Sequence, residues 1–423
     1  MSRHLLIILL FFIVISLQLA EDVQSKESSK TDKWLEGKYM TGNWRGHRDK
    51  LNEQGYMPFA NYHVSVLGNP SGGESNGVEY AGQLIAGVEF DLEKIVKING
   101  LSFIVSGTWI SGNSLSFEHI GNIFSVSDVF NLPVGFTFSI DSFRLYQLMF
   151  VQELMDNKIN VAFGRLAIGN DFATIDILND FTNTAFNANP GSIKFNVPTF
   201  TVDPFANWGA RVLYKPDERF YYMAGIYSAN PDIADLDNNG LDFSFDGGAF
   251  LITEISYSPN LNKSDNGLPG VYKLGAYLDS TDIPELSDPA SEASNNYGFY
   301  ALFQQMVYRE KNSDEQGLTI FSTVAYAPKE EVNQFPFFYS GGIGYKGLLH
   351  SRTKDTTVLG FLAGVFSDDL PGQDYEMIVE LSYNIMVAEW MAVQPDLQYV
   401  INPNGTDEID NAIVLGVRME VEF

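Results

Sequence analysis

Asn411-Ala-Ile-Val-Leu-Gly-Val-Arg-Met-Glu-Val-Glu-Phe423 alternates along its whole length. Ile413, Leu415, Val417, Met419, Val421 and Phe423 share one face. Ala412, Val414, Gly416, Arg418, Glu420 and Glu422 share the other. A β-strand repeats its face every two residues, so one side is wholly apolar and the other ends in three charges. A half-buried strand of a soluble sheet reads this way, and so does a strand between lipid and a wet lumen. Phe423, an aromatic residue in phase with the apolar face, favours the second reading.

Working outward, the chain from Phe59 onward consists of short alternating runs separated by turn residues. Strands are expected near 59–67, 78–91, 101–110, 143–153, 158–166, 207–215, 220–228, 249–258, 271–279, 296–308, 317–326, 335–346, 356–366, 374–384, 388–401 and 411–423. That makes about sixteen, an even number as bacterial single-chain barrels have. Counted back from a periplasmic Phe423, the long connections fall on one side: Ser111–Ser142, Ala167–Ala206, Ala229–Gly248 and Ser280–Ser294. Short turns such as Met155–Asn157 and Ile385–Val387 fall on the other. The expected fold is a transmembrane antiparallel β-barrel of about sixteen strands with a short N-terminal periplasmic helix. A large aromatic-rich sandwich or propeller is the competing architecture.

Composition fits a barrel. The 423 residues are 45% hydrophobic but only 19% charged, which excludes a disordered chain. The 21 Tyr and 32 Phe are enough for two interfacial girdles. There is no Cys, so thiolate chemistry and disulfides are excluded. A net charge of −27 excludes non-specific binding of nucleic acid. Acidic groups at a pore mouth would concentrate cations within about 8–10 Å. Solvated acidic loops would give the same composition.

Residues 1–20 read as a secretory signal, with Arg3 before a nearly unbroken apolar run from Leu5 to Leu17. Residues 21–33 read as a flexible linker, and 34–57 as a periplasmic segment in which Trp44–Gly55 forms a short helix. The barrel is expected over 58–423. After residue 20 no apolar run is long enough for a spanning helix, so a membrane form must be a closed barrel.

Several segments resemble the carbohydrate-selective porin family of the OprB type. They are Thr41-Gly-Asn-Trp44-Arg-Gly46-His-Arg48 with Leu51 and Gly55, and Asn69-Pro-Ser-Gly72-Gly73 with Tyr80, Gly82 and Phe90-Asp-Leu-Glu-Lys94. Further on come Phe163-Gly-Arg165 with Asp171-Phe-Ala173, Pro204 with Trp208-Gly209, and Gln394-Pro-Asp-Leu-Gln-Tyr-Val400 with Asn402-Pro403, Asp410-Asn-Ala412 and Leu415-Gly-Val-Arg418. Two departures stand out: Arg45 replaces the family's usual Gly, and Lys94–Gly100 lacks its Gly/Trp richness. The resemblance implies a sixteen-stranded outer-membrane barrel, passive uptake of sugars, and a constriction lined by charged residues. It implies export across the periplasm and recognition of the Phe423 strand by the barrel assembly machinery. Outer-membrane lipid and small solutes are the implied partners, homo-oligomers are possible, and no cofactor is needed.

Strand phase then nominates lumen residues. Glu79, Gln83 and Glu89 face inward on 78–91, and Arg211 on 207–215. Gln394, Asp396 and Gln398 face inward on 388–401, where Pro395 suggests a bulge. Arg418 faces inward on the last strand. Arg144 faces inward if Phe143, Leu145 and Met149 face lipid. Strict alternation puts Arg165 on the lipid side, whereas the family resemblance puts it in the pore mouth. In the loop Ala167–Ala206, Asp171 is placed to cap a helix whose apolar positions Phe172, Ile175, Leu178 and Phe181 recur every three residues. Folding of that loop into the barrel is the preferred constriction. The five tryptophans are expected in girdles or packing. An Asp232–Asp237 calcium loop lacks the spaced ligands such a site needs. With four His outside the leader and no nucleophile motif, a catalytic set is not visible. A general or cation-preferring porin and an adhesin are the alternatives to a sugar channel.

Overall fold

In lipid every backbone N–H and C=O needs an internal partner, and a sheet meets that demand only by closing on itself. The computed structural model describes residues 34–129, 142–230, 239–244, 247–261, 265, 267–311, 313 and 315–423. The expected leader, linker and Asp232–Asp237 loop lie outside these residues. The strands are β1 (Tyr56–Ser71), β2 (Val78–Asp91), β3 (Leu101–Gly112), β4 (Ser142–Leu154), β5 (Ile159–Leu166), β6 (Asn207–Tyr214), β7 (Phe220–Ala229) and β8 (Gly248–Tyr257). They continue as β9 (Gly270–Pro284), β10 (Glu292–Arg309), β11 (Gly317–Tyr326), β12 (Phe337–Lys346), β13 (Thr356–Val365), β14 (Tyr375–Ala388), β15 (Met391–Ile401) and β16 (Ala412–Glu422). Each pairs antiparallel with its sequence neighbours, and β1 pairs with β16 from Asn61↔Glu422 to Ser71↔Ile413, closing the barrel.

The alternation read from sequence is the alternation of the wall. On β8, Phe250, Ile252, Glu254 and Ser256 are buried while Leu251, Ile255 and Tyr257 are exposed on the outside. The outer face carries ring ladders from strand to strand. Phe90, Phe103, Phe150 and Phe163 stand 5.9, 4.7 and 5.3 Å apart along the series, and Phe220, Tyr257, Tyr272 and Phe303 stand 4.8, 6.4 and 6.2 Å apart. Such a band suits the polar–apolar boundary of a bilayer. Among the described residues no helix is long and apolar enough to cross a membrane.

Three expectations need correction. Strands β9 and β10 extend outward to Pro284↔Glu292, so most of the expected 280–294 loop is a projecting hairpin. Its Ser, Thr and Asp residues conceal the strand period. Pro395 makes no bulge: its ladder to β14 lapses between Ser382↔Asp396 and Ile385↔Val393, but the register is unchanged. A bulge lies instead on β4, where Ser106↔Gln147 is followed by Gly107↔Leu145. It turns Met149 to the interior while Phe143 stays outside. Arg45 adopts φ 59°, ψ 34°, the left-handed conformation for which glycine is the natural residue.

Helix α1 (His47–Gln54) ends at Gly55, whose φ of 94° gives a left-handed cap. It lies under the seam of the barrel. The buried Arg48 donates to Pro58 O (3.0 Å) and Phe423 O (2.7 Å), one on each side of β1 and β16. Its guanidinium also stacks 3.5 Å from the Tyr39 ring and 4.9 Å from Trp44. Met40 N donates to Glu422 O, and Trp34 packs 4.4 Å from Trp390. The segment thereby covers Val421 on what alternation alone makes a lipid-facing position.

Candidate functional site

An all-polar lumen would leave the six phenylalanines of the β5–β6 loop without cover. The interior wall is instead apolar where two loops enter it. L2 (residues 113–141) and L3 (residues 167–206) bring Phe124, Phe172, Phe181 and Phe186 into one buried cluster with wall residues Phe250, Phe321 and Phe338 and with Phe335 beside β12. Ring centroids lie 4.7 Å apart for Phe124–Phe335, 4.3 Å for Phe181–Phe186 and 5.4 Å for Phe181–Phe321. Two glycines of β13 make room: a Cβ on Gly360 would lie 2.8 Å from Phe181, and one on Gly364 would lie 2.4 Å from Phe124.

Backbone donors of the loops find wall carboxylates. Glu380 accepts from Thr182 N (2.6 Å) and Asn183 N (3.0 Å). Glu376 accepts from Ile123 N (2.9 Å), Phe124 N (2.7 Å) and Asn404 N (2.7 Å). Glu254 accepts from Ala173 N (2.8 Å), and Thr199 Oγ1 donates to Asp279. A buried loop amide left without an acceptor would cost about 1–3 kcal/mol. These four carboxylates of the wall are therefore fasteners within the lumen.

The expected helix at Asp171 does not form. L3 instead has 3-10 turns over Ile168–Asn170 and Asp176–Asp180, then α2 (Gly191–Asn196), a short helix. Ala173 at φ 56° interrupts any helical run. Phe172, Ile175, Leu178 and Phe181 are nevertheless all buried. The spacing of three marked a packed segment, and a 3-10 turn repeats its face at three.

The nominated residues separate into groups. Asp171 on L3 pairs with Arg211 on β6 at 3.0 Å, and Arg211 also donates to Asn160. Arg418 on β16 pairs with Asp128 of L2 at 2.9 Å, donates to Gln394 Oε1 (3.1 Å) and lies 3.3 Å from His63 Nδ1. Gln394, Asp396 and Gln398 point inward but are covered by the loops. Gln394 donates to Asp180 O (2.8 Å), Ser382 donates to Asp396 (2.6 Å), and Gln398 donates to Val126 O (2.8 Å) and accepts from Asn183 Nδ2 (3.0 Å). Gln394 and Gln398 hold the loops, Asp396 braces Gln398, and with Gln398 at 0% exposure the trio presents almost no surface to a passing solute.

Gln83 donates to Thr108 (3.1 Å) and to Asp203 of L3 (2.9 Å). Glu79 sits near the outer rim, with His119 Nε2 at 3.1 Å and Asn113 donating at 3.0 Å. Arg144 is buried with its guanidinium 4.9 Å above Phe205 of L3. Arg165 pairs across the sheet with Leu148 and Trp208, as strict alternation predicts, yet it is only 2% exposed. Residues 239–244 of the β7–β8 loop cover it: Asn239 O accepts from Leu145 N, Asp242 O from Trp208 Nε1 (3.2 Å), and Phe243 packs on Trp208. No pattern local to Arg165 reveals that cover.

Two loop groups have displaced protonation. Burial pushes the Asp203 carboxyl up to about 7, against the hydrogen bond from Gln83. Burial pulls the Lys194 ammonium down to about 7, although it donates to Thr184.

A family model described as carbohydrate-selective porin, OprB family, matches residues 75–423. The chain belongs to the OprB family of carbohydrate-selective porins. Porin B of Pseudomonas aeruginosa is 30% identical across 91% of each chain. The putative porin QuiX of Acinetobacter baylyi is 27% identical across 97% of this chain and 99% of its own. The high-pH structure of Pseudomonas putida OprB superposes with a TM-score of 0.83 at 28% identity, over 92% of this chain and 99% of that one. As an OprB-family porin the chain is a bacterial outer-membrane channel for small solutes. Sequence reasoning nominated Asp171, Arg211 and Arg418 but not Asp128, Asp203 or Glu254, which contact them or the same loops. Asp128 and Asp203 lie in irregular loops, and Glu254 is one inward polar residue among many.

Proposed function

We propose that neutral saccharides pass along the part of the lumen bordered by the Asp171–Arg211 pair, while the buried Asp128–Arg418 pair holds L2 against the wall. The observation that carries this reading is the Asp171–Arg211 pairing, at 3.0 Å with part of the Asp171 side chain exposed. A paired carboxylate and guanidinium present acceptors and donors to hydroxyl groups while exerting little net field on ions. Each contact is weak enough for release, as conduction requires. Consumption of Glu254, Glu376 and Glu380 in loop fastening supports the same reading, since those charges are buried. A cation-preferring pore is the second reading, favoured by Glu420, whose side chain is 45% exposed beside His63. Swelling of liposomes in isosmolar sugars against salts tests the choice. Sugar entry with reversal potentials near zero supports the first reading, and strong cation selectivity with slow sugar entry supports the second. Recognition of the Phe423 strand by the assembly machinery and association of copies belong to this reading too, and crosslinking in whole cells tests them.

A further inference from the structure

Glu254 is a heavily engaged carboxylate on the inner wall, apart from the Asp171–Arg211 and Asp128–Arg418 pairs. Its side chain is fully buried on β8. Oε2 accepts from Ala173 N (2.8 Å) and Tyr300 OH (3.0 Å). Oε1 accepts from Tyr221 OH (2.5 Å), with Lys273 Nζ at 3.4 Å. Three neighbouring strands, β7, β9 and β10, thus hold one carboxylate in place, and its remaining capacity goes to a single loop amide. That amide belongs to Ala173, which sits at φ 56°, a conformation costly for a residue with a Cβ. Two residues earlier is Asp171, the loop half of the Asp171–Arg211 pair. The non-glycine left-handed turn needs an external hold to persist, and Glu254 supplies it.

We infer that Glu254, with Lys273, Tyr221 and Tyr300, is a positioning site that fixes the Ala173 turn and thereby sets the reach of Asp171 toward Arg211, making it a determinant of which solutes the pore admits. The inference rests on the proposed saccharide path. Glu254 touches no solute and acts through the loop. Lys273 lies within ion-pair distance of the carboxylate, and the two phenols hold it against rotation. A Gln at this position keeps one acceptor for Ala173 N but loses the attraction for Lys273. An Ala removes both.

The experiment compares wild type, E254Q, E254A and R211A reconstituted in liposomes and in planar bilayers. Swelling in a monosaccharide, a disaccharide and a trisaccharide gives size discrimination, and current noise in potassium chloride reports loop mobility without any sugar. E254A is expected to raise the trisaccharide-to-monosaccharide ratio several-fold and to add flicker to the open current, with E254Q between it and wild type. R211A is expected to alter ion selectivity with little added flicker. Hydrogen exchange at the Ala173 amide should rise in E254A. A folded E254A, judged by its heat-dependent gel shift, with unchanged size ratio, noise and Ala173 exchange would overturn the inference. Should E254A fail to fold, E254Q gives the same readouts. Failure of wild type to admit any sugar would instead sink the saccharide path and, with it, the selectivity half of the inference, while the noise and exchange readouts still decide the positioning half.

Discussion

Replacing Arg48 by Ala removes a side chain that bridges main-chain oxygens on both sides of the barrel seam. Two hydrogen bonds from a charged donor contribute about 1.5–3 kcal/mol each, and the Tyr39 and Trp44 faces add roughly 0.5–2 kcal/mol. The gross loss is therefore roughly 4–8 kcal/mol by these ranges. Water can reach the freed Pro58 and Phe423 oxygens and returns part of it, leaving a net loss of about 2–4 kcal/mol, near the lower end of what breaking a buried ionic contact costs. Against total stabilities of about 5–15 kcal/mol, that is a large fraction. In urea, with a slope of about 3 kcal/mol per M, the unfolding midpoint in lipid should fall by roughly 1 M. The gel shift on heating follows the same transition. Arg48→Lys should recover less than half, because an ammonium lacks the planar fork that spans two acceptors. An Arg48→Ala midpoint within about 0.2 M of wild type would refute the assignment of seam stability to this contact.

Arg211→Ala should leave Asp171 uncompensated and shift the reversal potential toward cations, while sugar swelling falls; an unchanged potential would remove the pair from the solute path. Loop seating should depend on pH through Asp203: its carboxyl is raised from 3.8 to about 7 in place, so the seated loop holds a proton that the released loop has lost, and seating weakens as pH rises from about 4 to 7. Hydrogen exchange over residues 167–206 should show that trend in wild type and lose it in Asp203→Asn. Arg45→Gly should stabilise by about 1 kcal/mol or less, relief of the left-handed cost being partly offset by unfolded-chain entropy, as a rise in the urea midpoint checks.

The wall was legible because lipid imposes a two-residue period that does not depend on distant partners. Val78–Asp91 and Gly317–Tyr326 keep their expected bounds to the residue. Register follows from that period once neighbouring strands pair. The interior obeys no such rule. Glu376 meets L2 across a separation of 253 residues, and Glu380 meets L3 across 198. An inward Glu reads the same whether it faces water or a loop amide. Arg165 shows the same limit from outside: its phase was right, but the segment that shields it comes from another hairpin. The insertion of L2 beside L3 also leaves no local sign, since Phe124 is one phenylalanine among 32.

The fasteners of L3 run from Glu254 on β8 through Asp279 on β9 and Gln304 on β10 to Glu380 on β14. A single connection therefore spans the inner circumference like a spoked gauge. Adding or deleting one hairpin between β8 and β14 would move every later fastener by two strand widths, about 9–10 Å, beyond the reach of any hydrogen bond. The plug thus measures the cylinder that holds it, and strand number in this barrel is constrained from within as well as by closure of its edge.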